Sequence, residues 1–583
     1  MTEQTLVKID NLSFTYERGP DALKGLTFEV NKGEVIAVLG ANGAGKTTLC
    51  FHLNGVIPTV YAGIEKGQVK VGDLDPWETP IIDLASHVSM VLQDPETQFV
   101  TNDVDSELAF GPANLGIEKD EILRRMDFAK KICGLEGLGE RPPKDLSGGQ
   151  KQRVAFGAGL AMLPELLVLD EPTSQLDPIG TKEILETLNR LTQEEDLTIV
   201  ISTHKTKEIA PLASRVLVLN KGEQFAYGTP REVFSRTSEL DKIGVNAPAV
   251  TQLCKKLADK IPGFEDEYEK RGGIPITLDE ALDLFKELLD TGFLKIQWKE
   301  PPPPPEYDTP VVVDVDNVTF TYPGRNPVTA LKSVSATIQQ GEVVAIIGQN
   351  GSGKTTLVKH FVGLLRSDTG QVIVQGNDVK DMTTGAIAKR VALILQNPDY
   401  QLFNISAEKE IEFGLKNLKM EKEAIQERVD WALKEVGLEE SRDIFPFRLS
   451  FGDRRKLAAA AGVAMDPDVL ILDEPTTAQD YEGRHKLCQI AMEMQKEGKT
   501  VIMISHDMDL IATYADRIIV MADAEIIADG PTRDVFAMDE ILERADIRPP
   551  QIAEFSKHME PYGVNKLMLG VEEMADLFVK GGA

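Results

Sequence analysis

The chain has 583 residues, 42% of them hydrophobic and 27% charged, and its 63 basic and 93 acidic side chains leave a net charge of −30. That is too long for one compact domain and apolar enough for substantial cores. So acidic a balance argues against a nucleic-acid partner, which needs a basic surface, and reads as acidic surfaces on a cytoplasmic protein.

In chain order, NLSFTY (residues 11–16) leads to GEVIAVLG (33–40), a β-branched run that reads as a buried strand. A glycine-rich loop then opens a helical stretch, KTTLCFHLNG (46–55). Further buried strands are expected in LLVLDE (166–171), LTIVIST (197–203) and RVLVLN (215–220). Strands alternating with helices predict an α/β fold with a largely parallel sheet. The cysteines Cys50, Cys133, Cys254 and Cys488 form no CxxC pair, which argues against disulfides or a zinc site. The opening MTEQTLVKID has no signal-peptide apolar core, and no apolar run approaches the roughly 18 residues of a membrane span.

The same order then repeats. NLSFTY returns as NVTFTY (317–322), VLQDPETQ (91–98) as ILQNPDYQ (394–401), and IVISTH (199–204) as IMISH (502–506). Lys354 follows Lys46 by 308 residues, whereas Gln396 follows Gln93, and Ser450 follows Ser147, by 303. Such steady offsets mean two tandem domains. The difference places about five extra residues in the first half, around IPTVYAGIEKG. Each half ends in a tail with apolar residues at helical spacing. The expected layout is a first domain over 1–235, a helical extension over 236–295, a proline-rich linker over 296–310, a second domain over 311–535 and a second extension over 536–583. The five consecutive prolines favour a stiff, extended spacer.

The chemistry lies in the repeated motifs. GANGAGKT (Gly40 to Thr47) and GQNGSGKT (Gly348 to Thr355) each follow an apolar strand and open a helix. Glycines let the backbone wrap phosphates, and the amides of a helix start favour anions. The loops assign ATP contacts to Gly40, Asn42, Gly43, Gly45, Lys46, Thr47 and Thr48, and to Gly348, Asn350, Gly351, Gly353, Lys354, Thr355 and Thr356. Lys46 and Lys354 would meet the β- and γ-phosphates, and Thr47 and Thr355 would hold Mg²⁺. LLVLDE and VLILDE end in paired carboxylates: Asp170 and Asp473 for Mg²⁺ through water, Glu171 and Glu474 where a base could polarise the attacking water.

Phosphate loop, glutamine, LSGGQ, DEPT and histidine in this order resemble the ABC-type ATPases over nearly the whole chain. The resemblance implies that Tyr16 and Tyr322 stack on adenine. It implies that Gln93 and Gln396 touch Mg²⁺ or the attacking water, that His204 and His506 hold the γ-phosphate, and that Asp177 and Asp480 belong to the loop coupling the two sites. It also implies a head-to-tail domain pair, formed within the chain. The Lys354 site would then meet Ser147 and Gly149 of LSGGQ, and the Lys46 site Ser450 and Gly452 of LSFGD. Asp453 of LSFGD either repels the triphosphate or complements the dipole of the helix it starts. With both glutamates present, two hydrolytic sites are expected, the Lys354 site being the faster.

The segments QDPETQFVTNDVDSELAFGPANLG and QNPDYQLFNISAEKEIEFGLKNLK resemble the CbiO-like ATPases of energy-coupling factor (ECF) importers. That resemblance implies ATP and Mg²⁺ as cofactors and a vitamin or a cobalt- or nickel-class ion as cargo. It implies a transmembrane coupling protein and a small substrate-binding membrane protein as partners, at the cytoplasmic face of the membrane. The alternatives are the fused ATPase of a sugar-type importer and a soluble tandem ABC protein on ribosomes.

Overall fold

The computed structural model describes residues 4–17, 19, 21–173, 176, 178–194, 197–324, 327–475 and 481–581. Its contacts divide the chain into two units, residues 1–288 and 289–583, so the division falls within the helix Leu278–Asp290.

In the first unit the strands are β1 (Thr5–Tyr16), β2 (Asp21–Asn31), β3 (Val35–Leu39), β4 (Gly63–Val71), β5 (Val88–Val91), β6 (Leu166–Asp170), β7 (Thr198–Ser202), β8 (Arg215–Asn220) and β9 (Glu223–Gly228). The central sheet runs β5-β6-β7-β3-β8-β9, parallel except for the β8–β9 hairpin. An antiparallel sheet, β2-β1-β4, lies beside it. The central strands are buried on both faces, so they read as continuous apolar runs rather than alternating ones. β3 shows why: Ile36 and Val38 enter one apolar layer, Val35, Ala37 and Leu39 the other.

The second unit repeats the plan with β11 (Val311–Tyr322), β12 (Val328–Gln339), β13 (Val343–Ile347), β14 (Thr369–Val374), β15 (Asn377–Asp378), β16 (Val391–Ile394), β17 (Val469–Asp473), β18 (Thr500–Ile504), β19 (Arg517–Ala522) and β20 (Glu525–Pro531). Its sheets are β12-β11-β14-β15 and β16-β17-β18-β13-β19-β20. Val344 and Ile346 of β13 face one layer, Val343, Ala345 and Ile347 the other.

The tails contain helices at Ala249–Lys260, Phe264–Glu269 and Leu278–Asp290 in the first half, and at Gln551–His558 and Val571–Leu577 in the second. Two further strands are absent from the sequence reading: β10 (Leu294–Ile296) and β21 (Phe578–Lys580), which pair antiparallel within the second unit. The proline-rich segment has no regular structure, but its end is fastened to the second unit. Tyr307 donates to Asp516 at 2.6 Å, and Thr309 Oγ1 donates to the Gln340 carbonyl at 2.7 Å.

Candidate functional site

Each phosphate loop leaves the C-terminal end of a central strand and turns into a helix, Lys46–Leu53 or Lys354–Phe361. The turn requires glycine at the helix start. Gly45 has φ 103°, and a Cβ there would lie 2.6 Å from the Ala22 carbonyl oxygen. Gly353 repeats this with φ 107°.

Both lysines are buried and bent back over their own loops. Lys46 Nζ donates to the carbonyls of Gly40 (2.9 Å) and Ala41 (3.2 Å), and Lys354 Nζ to those of Gly348 (2.7 Å) and Gln349 (2.9 Å). Thr47 Oγ1 donates to Asp170 at 2.7 Å, and Thr355 Oγ1 to Asp473 at 3.3 Å. A hydroxyl beside a carboxylate is an oxygen donor set of the hard kind that Mg²⁺ takes. Among the described residues no group of three His, Cys, Asp or Glu could hold a metal by itself, so water and phosphate would complete the ion's shell. Burial pushes the carboxyls of Asp170 and Asp473 above the usual range, against the hydrogen bonds they accept.

Glu171 and Glu474 follow at φ 50° and 52°, a backbone region that side chains other than glycine rarely occupy. Such strain collects at functional positions. In the first unit His204 Nε2 lies 3.0 Å from Glu171 Oε1 and 3.1 Å from Lys46 Nζ. Burial acts to raise the Glu171 carboxyl, but His204, Lys46 and Lys205 outweigh it and hold the group below its ordinary value. In the second unit His506 Nε2 lies 3.3 Å from Glu474 Oε1 and 3.1 Å from Asn350 Oδ1. There burial wins, and Glu474 is raised despite Lys354. A buried, oriented carboxylate beside a histidine can accept a proton from a water molecule, which is what the sequence asks of Glu171 and Glu474.

Tyr16 and Tyr322 end β1 and β11, and their hydroxyls lie 3.1 and 3.2 Å from Thr48 Oγ1 and Thr356 Oγ1. Asn42, Gly43, Asn350 and Gly351 are exposed at the loop tips. Just past β5 and β16, Gln93 is half-buried and Gln396 is exposed. Ser147 and Gly149 lie at the N-terminus of the helix Gly148–Ala161, where Ser147 and Gln150 form a reciprocal capping box. Ser450 and Gly452 lie at the start of Phe451–Ala464, where Ser450 accepts from the Asp453 amide and donates its hydroxyl to the Asp453 carboxylate at 2.8 Å. Lys456 also reaches Asp453, at 3.1 Å. The Asp453 carboxylate is thus occupied within its own first turn. Asp177 and Asp480 lie outside the described residues.

Sequence reasoning missed the residues that brace these groups. Ser202 Oγ donates to Asp170 at 2.5 Å, while Ile504 holds the matching place in the second unit. Gln98 and Gln401 accept from the amides of Leu92 and Leu395, fixing the loops that carry Gln93 and Gln396. Glu107 and Glu410, both buried, accept the amides at the far ends of those loops. Lys151–Glu96 (2.5 Å) and Arg454–Asp399 (2.7 Å) join each loop to its signature helix. A spacing of 303 residues relates Gln401, Glu410, Arg454 and Asp399 to Gln98, Glu107, Lys151 and Glu96, and that regularity was the signal available.

The family described as ABC transporter matches residues 23–174 and 331–477. A protein of Caldanaerobacter subterraneus subsp. tengcongensis, named "Putative ABC transporter ATP-binding protein", is 37% identical over 97% of this chain and 97% of its own length. The "Putative HMP/thiamine import ATP-binding protein YkoD" of Bacillus subtilis is 32% identical over 95% of this chain and 97% of its own. Among solved structures, cbiO1 from Clostridium perfringens, described as part of the ABC transporter complex cbiONQ, is 34% identical and covers 42% of this chain and 99% of its own, with a TM-score of 0.36. With both phosphate loops, both aspartate–glutamate pairs and both histidines assembled in two repeated units, the chain belongs to the ABC transporter ATP-binding proteins and is an ATPase with two ABC domains in tandem.

Proposed function

We propose that this ATPase energises an ECF-type importer for a vitamin or a transition-metal ion, at the cytoplasmic face of the membrane. The observation that carries the reading is the similarity, over almost the full length of both chains, to a relative named for HMP/thiamine import. That name favours a vitamin as cargo. Among the described residues no helix is long and apolar enough to cross a membrane, so other chains would provide the spans. A transmembrane coupling protein and a small substrate-binding membrane protein are the proposed partners. Within the chain, Lys46, Lys354 and their loops bind the triphosphates, and Tyr16 and Tyr322 take the adenines. Thr47, Asp170, Gln93 and Thr355, Asp473, Gln396 serve Mg²⁺. Glu171 and Glu474 polarise water, and His204 and His506 hold the γ-phosphate.

The test is to isolate the chain from its native membranes in mild detergent and identify what accompanies it. A polytopic coupling protein with a small membrane protein is the expected result. Two related permease chains, or ribosomal proteins alone, would overturn the proposal.

A further inference from the structure

The two adenine sites are not built alike. In both units the tyrosine leans edge-on against a phenylalanine: Phe14–Tyr16 at 4.8 Å and Phe320–Tyr322 at 4.9 Å between ring centroids. In both, a buried histidine of the phosphate-loop helix, His52 or His360, backs that phenylalanine at 4.9 or 5.0 Å. Beyond this common stack the units part.

The extra residues of the first half lengthen β4. It has nine residues against six in β14, and it pairs along β1 as far as Tyr16↔Gly63. In the second unit the equivalent pairing stops at Thr319↔Thr369, short of Tyr322. The close approach needs Gly63, because a Cβ there would strike the Thr15 carbonyl and the Phe14 ring. Just before this extension sits Tyr61. Its ring lies 6.3 Å from that of Tyr16 at an interplanar angle of 83°, and it stacks on Phe51 at 5.5 Å and 16°. Tyr61 is 45% exposed, so its ring is not part of the core. Phe51 lies on the phosphate-loop helix, and Lys359 holds its place in the second unit. Among the described residues, Phe320 is the only ring against Tyr322.

We propose that Tyr61, held by Phe51, is a positioning residue that fixes the Tyr16 ring for the nucleobase and gives the first site the firmer hold on ATP. The inference rests on the reading of Tyr16 as the adenine platform. Edge-to-face aromatic pairs are strong enough to orient a ring and weak enough to leave a ligand exchangeable. The base lies at the far end of the nucleotide from the phosphate loop, so this device acts on the base alone.

The test uses the full chain with Lys354→Ala, so that titration calorimetry reads the first site, with two probes: ATP and inorganic tripolyphosphate, which has no base. Tyr61→Ala is expected to weaken ATP by about three- to tenfold and to leave tripolyphosphate unchanged, with Tyr61→Phe restoring ATP affinity. In the converse Lys46→Ala background, Tyr61→Ala is expected to change nothing. An equal loss for both probes would make Tyr61 a mere scaffold residue and overturn the proposal, as would unchanged ATP affinity. If Tyr16→Ala leaves ATP affinity intact, it is the platform reading of Tyr16 that fails, and the inference falls with it.

Discussion

At the scale of single residues, the two halves differ most in what their signature serines can offer. The Ser147 hydroxyl accepts the Gln150 backbone amide and the Gln150 side chain accepts the Ser147 backbone N–H, whereas the Ser450 hydroxyl is given to the Asp453 carboxylate. If each signature completes the site on the other half, as the family resemblance implies, the Lys46 site receives the encumbered serine. Asp453→Gln is therefore expected to raise ATP turnover of the assembled complex. Glu474→Gln is expected to lower turnover about tenfold or more, since a positioned base supplies about 10²–10⁴ in rate, and Glu171→Gln to lower it less than about twofold. Equal losses in a steady-state phosphate-release assay would refute the asymmetry.

His52 carries a pH dependence. It is fully buried, accepts the Trp77 indole N–H on Nδ1 at 3.0 Å, and burial lowers its pKa to about 3. The unfolded chain binds this proton below about pH 6.5, while the folded chain refuses it until about pH 3. Its contribution to stability is therefore whole above pH 6.5 and lost as pH falls, by about 2 kcal/mol at pH 5. Between pH 7 and 5, His52→Gln, which retains an acceptor for Trp77, should flatten the fall in denaturation midpoint. An unchanged slope would show that other groups set it.

At the scale of elements, the loops after β5 and β16 are held from both ends by side chains. Glu410 accepts the amides of Phe403 and Asn404, and a methyl in its place leaves two part-buried donors unmet. Glu410→Ala is expected to cost about 2–4 kcal/mol, read as a lower urea midpoint for the second unit. A change below about 0.5 kcal/mol, the range of a neutral surface substitution, would mean that water replaces the carboxylate. The same brace recurs at Glu107, so loop geometry is a property of the element pair rather than of the glutamine it presents.

At the scale of the whole molecule, the strand pair β10–β21 joins the segment that follows the first helical tail to the last strand of the chain. Phe578, which opens β21, is fully buried, and Lys299–Asp576 lies alongside at 2.9 Å. Deleting residues from Phe578 onward should release the 291–310 segment to limited proteolysis while both phosphate loops stay folded. Unchanged cleavage kinetics would show that Tyr307 and its neighbours hold that segment without the pair.

The sequence alone determined the duplicated plan and the chemistry at its centre. A phosphate loop, a carboxylate pair ending an apolar strand and a histidine ending another are local patterns, written in neighbouring residues and written twice. Their helices and strands follow from apolar period and glycine placement, as at Gly45 and β3. Tertiary structure alone decided which residues meet across long stretches of chain. Ser202 on Asp170, Tyr61 against Tyr16 and β10 on β21 join residues whose local sequence carries no mark of the partner. Their pairing depends on strand register and burial, which exist only once the sheets have formed.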